Sequence, residues 1–263
     1  MMEQQSLIVT EDLCIGYTNK KQPVAIASAV NITLNKGTLT ALVGANGIGK
    51  STLLRTLTGI QQPLSGNITL SGRPLTQFEP LALAKQISVV LTEKLPPGNL
   101  TIYEIIALGR QPYTNWLGKM SPEDLDKVNE AITLTGVQEL LSKKHYEASD
   151  GQLQNAMIAR ALAQDTPIII LDEPTTHLDL PHKLKLFALL KKLAADKGKC
   201  VLFSTHDIDL AAEISDEMIV MSEGKIIQDS PKALIINGTL NRIFAADGIR
   251  FDPDKGRFTF DSL

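Results

Sequence analysis

The chain has 263 residues, of which 43% are hydrophobic, and its 26 basic and 29 acidic residues give a formal net charge of −3. Charges of both signs are mixed along the chain and no apolar run approaches the ~18 residues of a membrane-spanning helix, so neither a nucleic-acid coat nor a membrane-embedded protein is predicted. Cys14 and Cys200 are the only cysteines, lie far apart and form no CxxC pair, so neither a disulfide framework nor a zinc site is predicted. A globular protein of a reducing, cytosolic compartment fits this cysteine usage best.

The N-terminal part of the chain has strand patterns followed by a helical one. Apolar and polar residues alternate with a period of two in SLIVTEDLCIGYTN and VAIASAVNITLNKG, which predicts antiparallel strands. The apolar run TLTALVG then stops at a glycine-rich turn, and the next segment, KSTLLRTLTGI, has helical periodicity. We therefore expect a strand, a loop and a helix in that order.

Helical patterns dominate the middle of the chain. The segments predicted to be amphipathic helices are TIYEIIALGR, SPEDLDKVNEAITLTG, VQELLSKK and QLQNAMIARALAQ. Ser121 followed by Pro122 marks a helix start, because serine is a good N-cap and proline suits the first turn. A helical subdomain is therefore predicted to interrupt an α/β core.

Strand and helix alternate in the rest of the chain, which predicts a mostly parallel sheet. The expected strands are PIIILDEP, KCVLFSTHD, EMIVMSEG and KIIQD, with PHKLKLFALLKKLAADKG and IDLAAEIS as the helices between them. The last stretch, IFAADGIRFDPDKGRFTFDSL, predicts a short appended hairpin whose turn is Asp254-Lys255-Gly256.

The glycine-rich turn matches the phosphate-binding pattern G-x-x-x-x-G-K-[ST] between a strand and a helix. Backbone N–H groups and the helix N-terminus would face a phosphate, Lys50 would add charge, and Ser51 would ligate Mg²⁺. The pattern by itself indicates binding of a nucleoside triphosphate. The predicted ATP-binding residues here are Gly44, Ala45, Asn46, Gly47, Ile48, Gly49, Lys50, Ser51 and Thr52.

A second motif follows the apolar run Ile168–Leu171, which fits a strand buried on both faces. Asp172 and Glu173 would emerge at the carboxyl end of this strand, where ligands bind in open α/β sheets. Asp172 is placed to hold Mg²⁺ through water and Glu173 to polarise the attacking water. Together with the phosphate loop, the pair predicts a hydrolytic centre.

In their order and spacing, these motifs resemble the nucleotide-binding subunit of ATP-binding cassette (ABC) transporters over nearly the whole chain. The resemblance implies an α/β P-loop NTPase fold: a core with a mostly parallel sheet, an N-terminal antiparallel β-subdomain and an inserted helical subdomain. It implies a single domain over residues 1–263. Its parts would be a core at 1–92 and 165–240, a helical signature subdomain at 93–164, and a C-terminal extension at 241–263.

Further site residues are implied by the same resemblance. Tyr17 fits the aromatic residue that stacks on adenine, and Asp179 ends the loop from Thr176 that crosses the dimer interface. His206, after the next strand, fits the switch histidine and joins Glu173 as a catalytic residue. The implied cofactors are ATP and Mg²⁺.

The signature motif departs from the family pattern Leu-Ser-Gly-Gly-Gln, which closes over the phosphate bound by the partner subunit. Ala148 replaces leucine and Asp150 replaces the first glycine, whereas Ser149, Gly151 and Gln152 are retained. Asp150 could cap the following helix. Since a carboxylate aimed at a triphosphate would weaken binding, we predict that Asp150 points away from the nucleotide.

The family's magnesium-contacting glutamine is also replaced. Aligning ISVVLTEK to the family puts Thr92 at that place, with Glu93 beside it. Either could ligate Mg²⁺, directly or through water, and the sequence does not choose between them.

The stretch Ala107–Tyr113 and the segment HLDLPHKLKLFALLKKLA resemble ATPases that serve importers of iron-siderophore, haem and cobalamin. The resemblance implies a homodimer with composite ATP sites, held peripherally at the cytoplasmic face of the inner or plasma membrane by transmembrane permease subunits. A periplasmic or surface substrate-binding protein would be an indirect partner, and no nucleic acid is expected. The alternative is an ABC-type ATPase without a permease, acting on ribosomes or DNA as a mechanical or regulatory module.

Overall fold

The computed structural model of the protein describes residues 5–19, 22–92, 98–244, 249–252 and 257–260. The strands are β1 Ser6–Asn19, β2 Gln22–Val30, β3 Thr33–Asn35, β4 Leu39–Gly44, β5 Ser65–Leu70, β6 Arg73–Pro74, β7 Ile87–Val90, β8 Ile168–Leu171, β9 Cys200–Thr205, β10 Glu217–Ser222, β11 Lys225–Asp229, β12 Ile249–Asp252 and β13 Arg257–Phe260. The α-helices are α1 Lys50–Leu57, α2 Pro80–Ala84, α3 Ile102–Ala107, α4 Pro122–Thr135, α5 Asp150–Ala163, α6 Leu180–Lys197, α7 Ile208–Ile214, α8 Pro231–Ile236 and α9 Thr239–Phe244. Among the described helices, none is long and apolar enough to cross a membrane.

The two larger sheets have the strand orientations that the sequence predicted. An antiparallel sheet has the order β2-β1-β5-β6, with β3 also paired to β1. The second sheet has the order β11-β10-β4-β9-β8-β7 and is parallel except for β11, which returns antiparallel along β10. The prediction of a mostly parallel core sheet beside an N-terminal antiparallel subdomain is confirmed.

The parallel sheet separates two apolar cores because both of its faces are buried. One face packs with α1 against the antiparallel sheet. The other face packs against α6, α7, α8, α9 and the residue Phe251 of β12. Helix α5 contributes Ile158 and Ala161 to this second core and Ala156 and Ala159 to a third core formed with α3 and α4. This helix therefore joins the helical subdomain to the sheet.

Local capping signals explain where the helices of this subdomain begin. Ser121 caps α4 through a reciprocal capping box with Asp124, and Pro122 occupies the first turn as predicted. Gly136, with φ 69°, ends the same helix in a left-handed conformation. Thr101 and Glu104 form a second capping box at the start of α3.

The prediction of a helix in VQELLSKK is wrong. Only a single 3-10 turn forms at Gln138–Leu140. Turn and bend residues follow at 141–143, and Lys144 then forms an isolated bridge with Thr101. Beside this bridge, the N–H of Ile102 donates to Lys143 O, and the N–H of His145 donates to Leu100 O. This pairing takes up backbone groups that a longer helix would need, so a distant partner overrides the helical pattern of the segment.

The C-terminal part contains two helices, α8 and α9, that the sequence patterns did not predict. Helix α9 spans residues 239–244 and therefore runs across the predicted boundary between core and extension at 240/241. The predicted terminal hairpin is present as β12 and β13, while its predicted turn at Asp254–Gly256 lies outside the described residues. The hairpin packs on the core through Phe251, which is 1% exposed.

Candidate functional site

The predicted phosphate-binding loop joins the buried strand β4 to the first turn of α1. Gly49, the residue before the helix, has φ 112°, and a Cβ atom there would lie 2.4 Å from Cγ2 of Ile26 on β2. Glycine is therefore required both by the backbone conformation and by the approach of the β1–β2 hairpin. The unpaired N–H groups of the helix N-terminus at Lys50 form the kind of site that binds phosphate. The other predicted residues of the loop and first helical turn are Gly44, Ala45, Asn46, Gly47, Ile48, Ser51 and Thr52.

Lys50 is held inside the loop. Its Nζ donates to the carbonyl oxygens of Gly44 and Ala45 at 2.9 and 3.2 Å, and it lies 3.9 Å from Oε1 of Glu173. Burial lowers the pKa of Lys50, whereas the carboxylates of Glu173 and Asp172 act in the opposite direction. Because an ammonium group has three donors, one remains for an anion that binds beside the loop.

Asp172 and Glu173 follow the buried strand β8 and share one hydroxyl group. Asp172 is 1% exposed, and its Oδ1 accepts a hydrogen bond from Oγ of Ser204 at 2.6 Å. The N–H of Glu173 donates to the same Oγ at 2.8 Å. Ser204 belongs to β9, the strand that neighbours β8 in the sheet. Both acidic residues are thus fixed at the carboxyl edge of the sheet, as the sequence predicted.

The carboxylate of Glu173 lies among several polar groups. Its Oε2 accepts a hydrogen bond from Oγ1 of Thr176 at 3.1 Å and lies 3.8 Å from Nδ1 of His206. The two residues predicted to be catalytic, Glu173 and His206, are therefore neighbours. The His206 side chain is 55% exposed, so one side of the pair is open to a ligand.

A cavity of about 310 Å³ opens between the phosphate loop and the acidic pair. It is lined by Ser51, Thr92, Gln154, Glu173, Thr176 and His177. Ser51, Thr92 and Glu173, predicted from separate motifs, therefore line one space, whereas Glu93 lies outside the described residues.

The oxygen donors around this cavity fit Mg²⁺. Hydroxyl and carboxylate oxygens are its preferred ligands, and it is usually bound by one or two carboxylates together with phosphates and water. Within the part of the chain that the structure describes, no cluster of three or more His, Cys, Asp or Glu side chains forms a metal cage. A site built from few protein oxygens and completed by a nucleotide agrees with both observations.

The predicted signature lies at the start of α5. Ser149 is the N-cap, and its Oγ accepts from the N–H of Gln152 at 3.3 Å, which leaves the hydroxyl proton available to a ligand. Asp150 is the first residue of the helix and is exposed, so the alternative that Asp150 caps this helix is wrong. Gly151 lies against the loop after β8: a Cβ atom there would be 2.8 Å from His177 O. The signature and that loop therefore pack together within one subunit.

Asp179 caps α6. Its carboxylate accepts from the N–H of His182 at 3.1 Å and also contacts Nδ1 of the same histidine. Two hydrogen bonds lower the pKa of the Asp179 carboxyl group. The one from the His182 side chain has the larger effect, and the one from the His182 backbone N–H adds to it. The side chain is 64% exposed, so this cap lies on an open surface.

Tyr17 lies on the hairpin that touches the phosphate loop. It stands on β1 opposite Val24 of β2, and it is 51% exposed. Ile26 of the same hairpin approaches Gly49. An exposed aromatic ring is therefore carried by the element that borders the loop.

The predicted site residues did not include Ser204 or Thr176, which bind the acidic pair directly. A signal for Ser204 exists in the sequence, since CVLFST is mostly apolar and belongs to a predicted strand of the core sheet, and the structure buries all of its residues. A hydroxyl group in such a strand needs a partner. The pattern does not reveal that the partner is Asp172.

A family model described as ABC transporter matches residues 27–176, more than half of the chain. The chain belongs to the ABC transporter family. It is accordingly an ATP-binding subunit and an ATPase, and the resemblance inferred from the motifs is confirmed.

This ABC ATPase has relatives along nearly its whole length. An uncharacterized ABC transporter ATP-binding protein of Methanocaldococcus jannaschii is 40% identical over 253 residues, covering 96% of this chain and 86% of the relative. The iron(3+)-hydroxamate import ATP-binding protein of Bacillus subtilis is 34% identical, covering 97% of this chain and 95% of the relative. The ferric enterobactin transport ATP-binding protein of Escherichia coli is also 34% identical, with 93% and 89% covered.

Solved structures confirm the ABC ATPase fold. An ABC transporter described as of metal-chelate type, in an inward-facing conformation, has a TM-score of 0.77 and 27% identity, covering 91% of this chain and 89% of that one. A bacterial ABC transporter cassette solved as a dimer has a TM-score of 0.77 and 27% identity, covering 86% of this chain and 99% of the cassette.

Proposed function

We propose that this ABC ATPase powers the import of a ferric chelate through a membrane permease. The observation that carries the proposal is its similarity, over 97% and 93% of its length, to ATPases named for iron(3+)-hydroxamate and ferric enterobactin transport. The likeness to a transporter of metal-chelate type supports the same substrate class. Haem and cobalamin are the competing substrates from the importer group that the sequence resembles.

Within one subunit, the phosphate loop binds the triphosphate of ATP. Lys50 and the N-terminus of α1 hold its phosphates, and Tyr17 stacks on the adenine. Glu173 polarises the attacking water, and His206 contacts the terminal phosphate beside it. The support is the 3.8 Å separation of Nδ1 of His206 from Oε2 of Glu173 and the approach of Lys50 from the other side of that carboxylate.

Ser51 and Asp172 are the residues proposed to hold Mg²⁺, with Thr92 or Glu93 as a further oxygen ligand. Ser51 and Thr92 line one cavity with Glu173, the residue after Asp172. The ion would supply positive charge to the phosphate oxygens during hydrolysis.

The complete site requires a second copy of the chain. Of the signature residues, Ser149 and Asp150 are exposed, and Gly151 and Gln152 are partly exposed. In a homodimer, these four residues would close over the nucleotide of the partner, and Asp179 would lie at the same interface. The likeness to a cassette solved as a dimer supports this arrangement. The hydroxyl proton of Ser149, which capping does not use, is the donor available to the partner's phosphate.

An apolar groove on the helical subdomain is the proposed contact for the permease. It has a volume of about 450 Å³, and Leu100, Tyr103, Ala107, Leu108 and Met120 are among its lining residues. Leu100, which lines the groove, comes shortly after Thr92 in the sequence, and Thr92 lines the cavity beside Glu173. This stretch of chain is the proposed link between the permease and the ATP site. The chain would be held in this way at the cytoplasmic face of the membrane, with a substrate-binding protein acting on the other side.

The proposal is tested by transport. The chain is purified with its permease subunits and reconstituted into vesicles, and ATP-dependent uptake of radio-iron-labelled ferric hydroxamate is compared with uptake of labelled cobalamin and haem. We expect uptake of the ferric chelate, abolished by Glu173→Gln. Uptake of cobalamin or haem alone would contradict the substrate class, and a chain that retains uptake after Glu173→Gln would contradict the catalytic assignment.

A further inference from the structure

Ser204 is a polar residue in an otherwise mostly apolar part of the sheet. Every residue of β9 is buried, and Ser204 itself is 0% exposed. Burying a hydroxyl group is unfavourable unless it is hydrogen-bonded. Ser204 meets this requirement through bonds to Asp172 and Glu173, which lie 32 and 31 residues earlier in the chain.

The hydroxyl group serves both acidic residues at once because it donates to one and accepts from the other. Its proton goes to Oδ1 of Asp172 at 2.6 Å, a length typical of a strong bond between a hydroxyl and a carboxylate. Its oxygen accepts the N–H of Glu173 at 2.8 Å. A bond to one oxygen of Asp172 fixes the plane of the carboxylate and leaves the other oxygen, Oδ2, for a different ligand.

The backbone of Glu173 needs such support. Its φ of 46° lies in the left-handed region, which is unfavourable for a residue with a side chain. The bond from its N–H to Ser204 joins this strained residue to the neighbouring strand. Two residues beyond Ser204, Nδ1 of His206 lies 3.8 Å from the Glu173 carboxylate. The end of β9 therefore contacts Glu173 at its backbone and at its side chain.

We propose that Ser204 is a positioning residue for ATP hydrolysis. It orients the Asp172 carboxylate toward Mg²⁺ and fixes the backbone that aims Glu173 at the attacking water. Ser204 contacts neither metal nor nucleotide in this scheme, so it acts only through the acidic pair. The inference rests on the proposed roles of Asp172 and Glu173.

The chain contains a matched control for this inference. Ser88 on β7 is also 0% exposed and lies in the same parallel sheet, but its Oγ has no hydrogen-bond partner among the described residues. Ser204→Ala and Ser88→Ala remove the same atom from equally buried positions. Loss of an unpaired buried hydroxyl is neutral or stabilising. Loss of a paired hydroxyl is unfavourable, because its former partners stay buried without a hydrogen bond.

The experiment measures ATP hydrolysis and Mg²⁺ binding separately. For each purified variant, kcat and the Mg²⁺ concentration for half-maximal turnover are determined. The second readout needs no turnover: the rise in unfolding temperature with a non-hydrolysable ATP analogue is recorded as Mg²⁺ is added. Ser204→Thr tests rescue, because threonine keeps the hydroxyl and suits a strand.

We expect Ser204→Ala to lower kcat and raise the Mg²⁺ midpoint by roughly tenfold or more, the usual cost of losing a group that orients a metal ligand. Ser88→Ala should leave both values within about twofold of the parent, and Ser204→Thr should restore most of the loss. If Ser204→Ala does not fold, Ser204→Cys replaces it with the same expectation, because a thiol is a weaker donor of similar size.

Parent-like kcat and Mg²⁺ midpoints in Ser204→Ala would overturn the inference, and so would an equal loss in Ser88→Ala. Glu173→Gln, assayed alongside, separates this outcome from failure of the proposed function. If Glu173→Gln is inactive while Ser204→Ala is normal, the catalytic assignment stands and only the role of Ser204 is wrong. If Glu173→Gln remains active, both the catalytic assignment of Glu173 and the positioning role of Ser204 are wrong.

Discussion

Glu173 adopts a left-handed backbone conformation that costs a residue with a side chain roughly 1–3 kcal/mol, and its φ is 46°. The surrounding bonds offset this cost: Ser204 accepts its N–H, and Thr176 donates to its carboxylate. Strain of this kind persists where neighbouring structure determines the conformation, and it is common at catalytic sites. The carboxylate that we propose to polarise the attacking water is thus held in place before substrate binds.

The two cysteines differ in reactivity because of burial. Burial raises the pKa of the Cys200 thiol to about 12, and the residue is 0% exposed. Cys14 is partly exposed, with Sγ 3.3 Å from Oγ of Ser28. At about pH 8 the thiolate, which is the reactive form, is therefore scarce at Cys200.

We accordingly expect a thiol-specific colour reagent to detect at most one thiol in the native chain and both after denaturation. Cys14→Ser is the control, and it should abolish the reaction of the reagent with the native chain. Reaction of two thiols in the folded protein would show that β9 opens more readily than its burial implies.

Arg110 connects the elements of the helical subdomain. Its guanidinium donates to Oδ1 of Asp124 at 2.9 Å, next to the start of α4, and to the carbonyl oxygen of Ala163 at 2.9 Å, at the end of α5. It also lies over the ring of Tyr113. Burial opposes ionisation of Asp124, but hydrogen bonds from Ser121 and Arg110 outweigh it and lower the pKa of Asp124. Arg110 lies in the stretch that resembles siderophore-importer ATPases, and its role in the fold is to connect α4 with the end of α5.

Removing one partner of this pair should be costly. Arg110→Met leaves the Asp124 carboxylate, 4% exposed, without its counter-charge, and we expect a loss of about 3–5 kcal/mol in the free energy of unfolding. Urea denaturation measures it. Adding Asp124→Asn removes the unpaired buried charge and keeps an oxygen that accepts hydrogen bonds from Ser121. The double variant should therefore be more stable than Arg110→Met alone. A double variant that is no more stable would contradict this account.

At the scale of the whole molecule, α5 links the signature to both halves of the chain. Its N-terminus carries Ser149 to Gln152, and its apolar residues enter both the helical core and the core against the sheet. Gly151 also approaches the loop that follows β8. The surface proposed to meet a second subunit is therefore positioned by both halves of the chain and not by the signature loop alone.

Asp150 should have little influence on nucleotide binding if it points away from the phosphate. With ATP and Mg²⁺, we expect Glu173→Gln to form a dimer in light scattering, and we expect adding Asp150→Gly to change ATP affinity by less than about threefold. Two like charges about 4 Å apart repel by about 4 kcal/mol at an effective dielectric constant of about 20. Tightening by tenfold or more in the Asp150→Gly chain would place the carboxylate against the phosphate.

The sequence by itself determined the alternation of strands and helices in the core, the position of the phosphate loop and the strand that ends in Asp172 and Glu173. These features follow from local signals: apolar periodicity, glycines required by the backbone, and capping residues such as Ser121. The resemblance carried by the motifs also determined the family. Such signals lie within a few residues of the structure they specify, so a single sequence is enough to reveal them.

Only the tertiary structure decided what depends on partners far apart in the chain. It limited the helix predicted in VQELLSKK to a single 3-10 turn, because residues 141–145 pair with 100–103. It made Ser149, and not Asp150, the cap of α5. It also placed the Ser204 hydroxyl between two acidic residues about 30 positions away. Burial and pairing depend on neighbours that the local pattern does not contain, and for this reason the support of the acidic pair Asp172 and Glu173 appears only in the folded chain.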